Sequence, residues 1–450
     1  MSPGQNSGVE AAIDSRPLSL FQISVILLCA AVAMIDGFDT QAIALVAPEL
    51  AASWRVPPSA FAGVFASGLL GALFGALIFG LAADRFGRKP SLLIAIALFG
   101  AATLLTPFTT SVETLTAVRF LTGLGLGGAL PGIISITSEY SPAPRRATIV
   151  SLMFCGFPLG AVIGGVAAAA LIPSFGGASL FYIGSAVPLA LLPVIAFGVP
   201  ESIRFLALRG DRKRVQAVLG RMKALATWDG EMRVSSGAGH ASIASLFGSG
   251  RALGTIILTG TFLLSLMLSY FLVNWLPLLA RQAGMGMQHA VLAVAALNLG
   301  AIVGCLFIGR LADRRGPALP IGWAYALGAA AIACIGLSAH SAGLMLAVTF
   351  VAGALSIGAQ MCVVALGATF YHTSLRATGV GWLMGTGRIG AILGPILGGL
   401  LIAGGVTTPN LFLVAGAVSF VAALGVFSMG WFVLRKAPRV AADATAAARP

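Results

Sequence analysis

The sequence predicts an all-α polytopic membrane protein, twelve spanning helices in two pseudo-symmetric six-helix halves, and three observations carry that prediction. The chain is 58% hydrophobic and 9% charged over 450 residues, with a mean hydropathy of +0.98, more apolar surface than a soluble chain can hide from water. Its apolar runs are long enough to cross a bilayer as helices, which takes about 20 residues each. Its second half repeats features of the first.

The runs fall near 20–44, 60–83, 90–110, 114–138, 147–172 and 179–199, and then near 253–280, 289–310, 318–338, 341–370, 377–403 and 409–434. They are continuously apolar and about twice as long as the 9–11 alternating residues of a spanning strand, so helices are expected rather than a barrel. The chain divides into a tail (1–19), a first half (20–199), a linker (200–252), a second half (253–434) and a second tail (435–450). The first 17 residues contain Glu10 and Asp14 but no basic stretch leading to a small-residue cleavage site. That is the pattern of a retained first helix, not a signal peptide.

Basic residues set the expected orientation, because loops rich in Lys and Arg stay in the cytoplasm. Of the 27 Lys and Arg, Arg55 and Arg281 fall in outer loops, Arg119 and Arg388 fall inside spans, and the others lie in cytoplasmic loops or tails. Both termini are therefore expected inside. The net charge of +13 needs no nucleic-acid partner, since the same asymmetry accounts for it. The basic linker, with Arg204, Arg209, Arg212, Lys213, Arg214, Arg221 and Lys223, is read the same way.

Cys29, Cys155, Cys305, Cys334 and Cys362 all lie in apolar spans, without CxxC spacing or His neighbours, and read as packing residues with no metal site. No GxxxxGK[ST] loop occurs, so ATP is not the expected energy source and no cofactor is implied. A gradient must supply the work.

The repeat is visible in a loop. Gly80-Leu-Ala-Ala-Asp84-Arg85-Phe-Gly87-Arg88-Lys89 after the second span returns 229 residues later as Gly309-Arg-Leu-Ala-Asp313-Arg314-Arg-Gly316. The same offset pairs Pro48 with Pro277, at the expected ends of the first and seventh spans, and an offset of 230 pairs Arg146-Ala-Thr with Arg376-Ala-Thr. Two parallel six-helix halves with a substrate site between them is one way transporters are built. In the loop, glycines permit a tight turn and Asp84 is expected to meet a helix N-terminus or a basic residue. Gly80, Asp84, Arg85, Gly87, Arg88 and Asp313 are thus candidate gating residues.

Charge inside the spans marks the candidate site, because a carboxylate or guanidinium at bilayer depth costs about 2.5–3.5 kcal/mol on insertion scales. Asp36 and Asp39 share one helix face by their i, i+3 spacing. At 1.5 Å per residue Asp36 lies about 24 Å from the cytoplasmic end of its span, and Arg119 about 7–8 Å below the outer end of the fourth. An Arg–Asp pair is therefore possible, and such a pair is a candidate proton switch, with a static brace as the alternative. Arg388 lies about 18 Å into the eleventh span, near the midplane, where a guanidinium wants an anion. Its flanking Gly385, Gly387 and Gly390 let a ligand or a helix come close. Glu139 is expected at the cytoplasmic mouth with Arg145, Arg146 or Arg376 as partners, a gating role. Phe38, Gln41, Tyr270, Asn274, Trp275, Asn298 and Trp382 are candidates to hold a ring, although a single aromatic in a membrane protein is more often packing.

The loop at 80–89 with its copy at 309–316 resembles the signature of the major facilitator superfamily. Within it the chain resembles the aromatic acid:proton symporters, through Asp36-Gly-Phe-Asp39, GLAADRFGRK at 80–89, RFLTGLGLGGALP at 119–131, the run from Ser138 to Gly165, Pro200-Glu201-Ser202 with Arg204-Phe205-Leu206, and RATGVGWLMGTGRIG at 376–390. The resemblance implies a major facilitator fold in a bacterial inner membrane, and import of a ring carboxylate such as a hydroxybenzoate, protocatechuate or a hydroxyphenylpropionate with protons. It also implies roles for Asp36, Asp39, Arg119, Glu139, Arg376 and Arg388. The expected partners are the aromatic carboxylate, protons and lipid, with the chain a monomer and no enzyme. One departure bears on direction: a Gly-Pro-x-x-Gly-Gly element like that of drug:proton antiporters stands in the eleventh span, Gly394-Pro395 to Gly398-Gly399, and not in the fifth. Symport is favoured; efflux of amphipathic compounds is the alternative, and a non-transporting sensor a third reading.

Overall fold

The computed structural model describes residues 9–14, 17–225, 228, 230, 232, 242–248, 250–338 and 341–433; the expected second tail, 435–450, lies outside the described residues, as do parts of the first tail and linker. Every regular element among the described residues is helical. After a short α1 (Val9–Asp14) come α2 (Leu20–Trp54), α3 (Phe61–Phe86), α4 (Arg88–Leu105), α5 (Val112–Glu139), α6 (Arg146–Phe154), α7 (Gly156–Phe175) and α8 (Ala178–Gly198). The linker contributes α9 (Ile203–Leu208), α10 (Arg212–Arg221) and α11 (Ala244–Phe247). Then follow α12 (Ala252–Gln282), α13 (Met287–Arg315), α14 (Ala318–Ile335), α15 (Ala342–Ala352), α16 (Gly358–Phe370), α17 (Thr373–Ala403) and α18 (Thr408–Ser428). Together they give twelve segments long and apolar enough to span a membrane among the described residues.

Three spans differ from the expected continuous runs. The first does not stop near 44: α2 continues to Trp54 with Pro48 inside it, as Pro277 lies inside α12. Each proline removes one backbone donor without ending its helix. The fifth span is two helices, because α6 ends at Phe154 and α7 restarts at Gly156. The tenth joins α15 to α16 through a π-turn at Gly353–Ile357, a local widening that periodicity does not announce.

The described residues group into two compact units, Met1–Val46 with Ser67–Ala238, and Ala47–Ala66 with Gly239–Pro450. In the first, a buried cluster runs from Val25, Val32 and Ile35 of α2 through Leu92, Ile96 and Phe99 of α4 to Ile133 and Ile136 of α5, and on to Val215, Leu219 and Met222 of the linker. In the second, Leu258 and Phe262 of α12 pack with Tyr325 of α14, Val363 of α16, Leu383 of α17 and Val426 of α18. Segment 58–66 joins this unit through the Phe65 ring, edge-on to Trp275 at 5.3 Å.

Glycine sets two features of the fold. Gly87 (φ 110) and Gly316 (φ 82) occupy the turns between α3 and α4 and between α13 and α14, a backbone region closed to most side chains. The repeated loop therefore turns at the same glycine in both units. Gly37 lies so close to the carbonyl of Phe157 on α7 that a Cβ there would overlap it, so α2 and α7 touch backbone to backbone beside Asp36 and Asp39.

Candidate functional site

In the first unit the expected pair forms. Asp39 is fully buried and Arg119 is 3% exposed, and Arg119 Nη2 donates to Asp39 Oδ2 at 3.1 Å and to the Asp39 carbonyl at 3.2 Å. The other carboxylate oxygen, Oδ1, accepts the Thr103 hydroxyl of α4 at 2.8 Å. Arg119 Nη1 is buried and makes no hydrogen bond among the described residues. Asp36, one turn earlier, is buried and accepts from the Thr40 hydroxyl at 3.1 Å. A buried ion pair holds only with good geometry and further hydrogen bonds, and Thr103 supplies one. Sequence reasoning missed Thr103, a hydroxyl in an apolar span whose partner is distant in the chain.

Phe38 and Gln41 flank the pair on α2, both buried. A Cβ at Gly184 on α8 would stand 3.3 Å from the Phe38 ring and 3.6 Å from Asp39 Oδ1.

In the second unit Arg388 is partly exposed on α17 and has no ion pair or hydrogen bond among the described residues. Of the glycines around it, Gly387 and Gly390 serve helix packing: a Cβ would meet Phe262 at the first and overlap the Leu263 carbonyl at the second. Gly385 has open space. Asn274 and Asn298 are buried and donate to carbonyls of their own helices, Tyr270 at 2.8 Å and Val294 at 2.9 Å; Tyr270 is partly exposed.

Two of the expected ring contacts are engaged elsewhere. Trp275 is completely buried, with its indole N–H on the Pro395 carbonyl at 3.1 Å and its ring against Phe65. In this structure it packs inside the second unit with no exposed face. Trp382 donates to Thr259 at 3.0 Å and stacks edge-on with Phe247 of α11 at 5.9 Å.

The loop end of the first unit forms a second polar cluster, in which the charge of Asp84 acts on a basic residue, Arg88, and another carboxylate takes the helix N-terminus. Asp84 is exposed; the carboxylate that meets the N-terminus of α4 is Glu201, whose Oε1 accepts from the backbone N–H groups of Arg88 (2.8 Å), Lys89 (3.1 Å) and Ser202 (2.8 Å). A negative charge is favoured there by the orphan donors and the helix dipole. The expected arginine partners of Glu139 are likewise replaced: it pairs with Arg88 and accepts the Ser202 hydroxyl at 2.6 Å. Arg146 lies 3.9 Å from Asp14, and Arg376 is exposed. Tyr140 donates to the Glu201 carbonyl at 2.7 Å; burial, and then the Glu201 charge, push its phenol above the ordinary value, so it stays a donor. Arg85 offers its carbonyl to Arg209 at 2.6 Å, while Gly80 has open space and Asp313 is exposed.

The sequence pattern of the Major Facilitator Superfamily matches residues 29–383. A gallate transporter of Pseudomonas putida is 35% identical over 96% of this chain and 96% of its own length. The 4-hydroxybenzoate transporter PcaK of Pseudomonas aeruginosa is 38% identical, covering 88% of this chain and 89% of its own. Among solved structures, a D-xylose-proton symporter superposes with a TM-score of 0.68 over 91% of this chain and 97% of that one, at 18% identity, a likeness of fold.

Proposed function

This chain belongs to the major facilitator superfamily, and we propose that it imports a ring carboxylate together with protons across the bacterial inner membrane, with both termini in the cytoplasm. The substrate class is supported by the relatives, since gallate and 4-hydroxybenzoate are both hydroxylated ring carboxylates. Coupling to protons is carried by one observation, the buried Asp39–Arg119 pair. Neutralising Asp39 cancels one charge of that pair and frees a guanidinium whose second nitrogen is already uncommitted, which gives the two protonation states different structures to favour.

Arg388 is the proposed anchor for the substrate carboxylate, because it pairs with no anion among the described residues and a guanidinium binds a carboxylate in a two-pronged fork. Tyr270, Asn274 and Asn298 are proposed for the ring and its hydroxyls. The Arg88–Glu139–Ser202 cluster and the Glu201 cap are the proposed latch, acting where the signature loop enters α4.

The test is uptake of labelled 4-hydroxybenzoate into proteoliposomes under an acid-outside pH step. Protein-free liposomes set the baseline, as the undissociated acid crosses lipid unaided. Accumulation above that baseline, collapsed by a protonophore, is expected; indifference to the gradient would sink the coupling. Arg388→Lys should weaken ring carboxylates about tenfold, the scale of one charge-assisted hydrogen bond, and leave the corresponding amides little affected. Equal loss for both would return Arg388 to a structural role.

A further inference from the structure

We propose that Thr103 is a positioning residue of the proton-coupling step, its hydroxyl holding Asp39 Oδ1 in both protonation states: donor to the carboxylate, acceptor from the carboxylic acid. The inference rests on the reading of Asp39 and Arg119 as the coupling pair.

Thr103 is fully buried on α4 and gives its hydroxyl to a side chain 64 residues away in sequence, at 2.8 Å. A threonine inside a helix ordinarily returns that hydrogen bond to the carbonyl four residues back. Thr116 and Thr122 on α5 do so, to Val112 and Val118. Thr103 departs from that habit beside a buried carboxylate, giving Asp39 a second side-chain donor besides Arg119. Gly184 on α8 faces both groups, and a Cβ there would lie 3.5 Å from Thr103 Cγ2 and 3.6 Å from Asp39 Oδ1. A longer side chain would press on both.

The two oxygens of Asp39 have chemically different partners. Arg119 at Oδ2 is a donor in every state, so it cannot face a carboxyl O–H, whereas a hydroxyl can donate or accept. The proton therefore belongs on Oδ1. Hydronium delivers it and leaves as water; Oδ1 gains the O–H bond, and the Thr103 hydroxyl rotates to accept it. Oδ1 keeps the Thr103 hydroxyl as its partner in both states, while Arg119 loses the charge that held it. The charged groups near the carboxylate among the described residues are Arg119 on α5 and Asp36 on the same helix. From α4 comes Thr103 and from α8 Gly184, neither of which titrates in this range; α7 presents Gly164, against Phe38.

Replacing the hydroxyl with a methyl removes a hydrogen bond from both states, and the bond to the charged form is the stronger one. In Thr103→Val the external pH giving half-maximal net uptake should rise by about one unit, and Thr103→Ser should bring it back. Substrate exchange, which needs no net proton movement, reports how much folded carrier is present. A merely structural role would lower exchange and uptake together without moving the midpoint. Should the valine variant fail to reach the membrane, Thr103→Ala carries the same comparison. If wild-type uptake follows the proton gradient and the midpoint stays in place without the hydroxyl, Thr103 is not the positioning residue. If wild-type uptake ignores the gradient, the coupling reading falls and takes this inference with it.

Discussion

Removing one charge of the Asp39–Arg119 pair should be worse than removing both. Arg119→Leu leaves a buried carboxylate without its counterion, a loss of about 3–5 kcal/mol, whereas a neutral, well-packed pair is often close to neutral for stability. Thermal unfolding in detergent should rank Arg119→Leu below the double variant Asp39→Asn with Arg119→Leu. The reverse order would mean that the pair is screened by water. The pair itself was legible in the sequence, because charge in an apolar run stands out and helix rise converts position into depth. Thr103 was not, since a threonine in a span is unremarkable until its hydroxyl is seen to cross between helices. The burial of Trp275 was not legible for the opposite reason: an indole looks equally suited to a ligand or to the Pro395 carbonyl that it meets.

The helices fit one another through glycine, and Gly37 is the sharpest case. A methyl there would overlap the Phe157 carbonyl, and overpacking of this kind costs about 1–3 kcal/mol. Gly37→Ala should therefore lower the melting temperature, while Gly260→Ala on α12, where nothing lies within 4 Å, should not. Equal behaviour would show that α2 and α7 adjust freely. At this scale the sequence located every span, because hydropathy and length are strong signals. It did not locate the extension of α2 to Trp54, the restart after Cys155 or the π-turn at Gly353–Ile357. Those depend on which backbone carbonyl accepts which N–H, a choice made by packing and not written in apolar periodicity.

Seen whole, the first unit extends beyond the last span that precedes the linker. Ile203, Leu206, Val215, Leu219 and Met222 are buried in its core, and Glu201 and Ser202 serve its loop end. A gene split after residue 232 should yield co-expressed fragments that restore uptake, and a split after residue 199 should yield little. Equal activity from both would mean that the linker helices are dispensable to the fold. The repeat predicted the matching turns at Gly87 and Gly316. It could not predict the cap: Glu201 lies outside the repeated loop, and only folding brings it to α4.

That cap has a consequence in time. A chain is made from its N-terminus, at about 5–20 residues per second, and the carboxylate that closes α4 stands 113 residues after Arg88. The first turn of α4 thus leaves the ribosome roughly 6 to 23 s before its partner. Throughout that interval the signature loop is synthesised but unfinished, and the first unit matures at its linker end last.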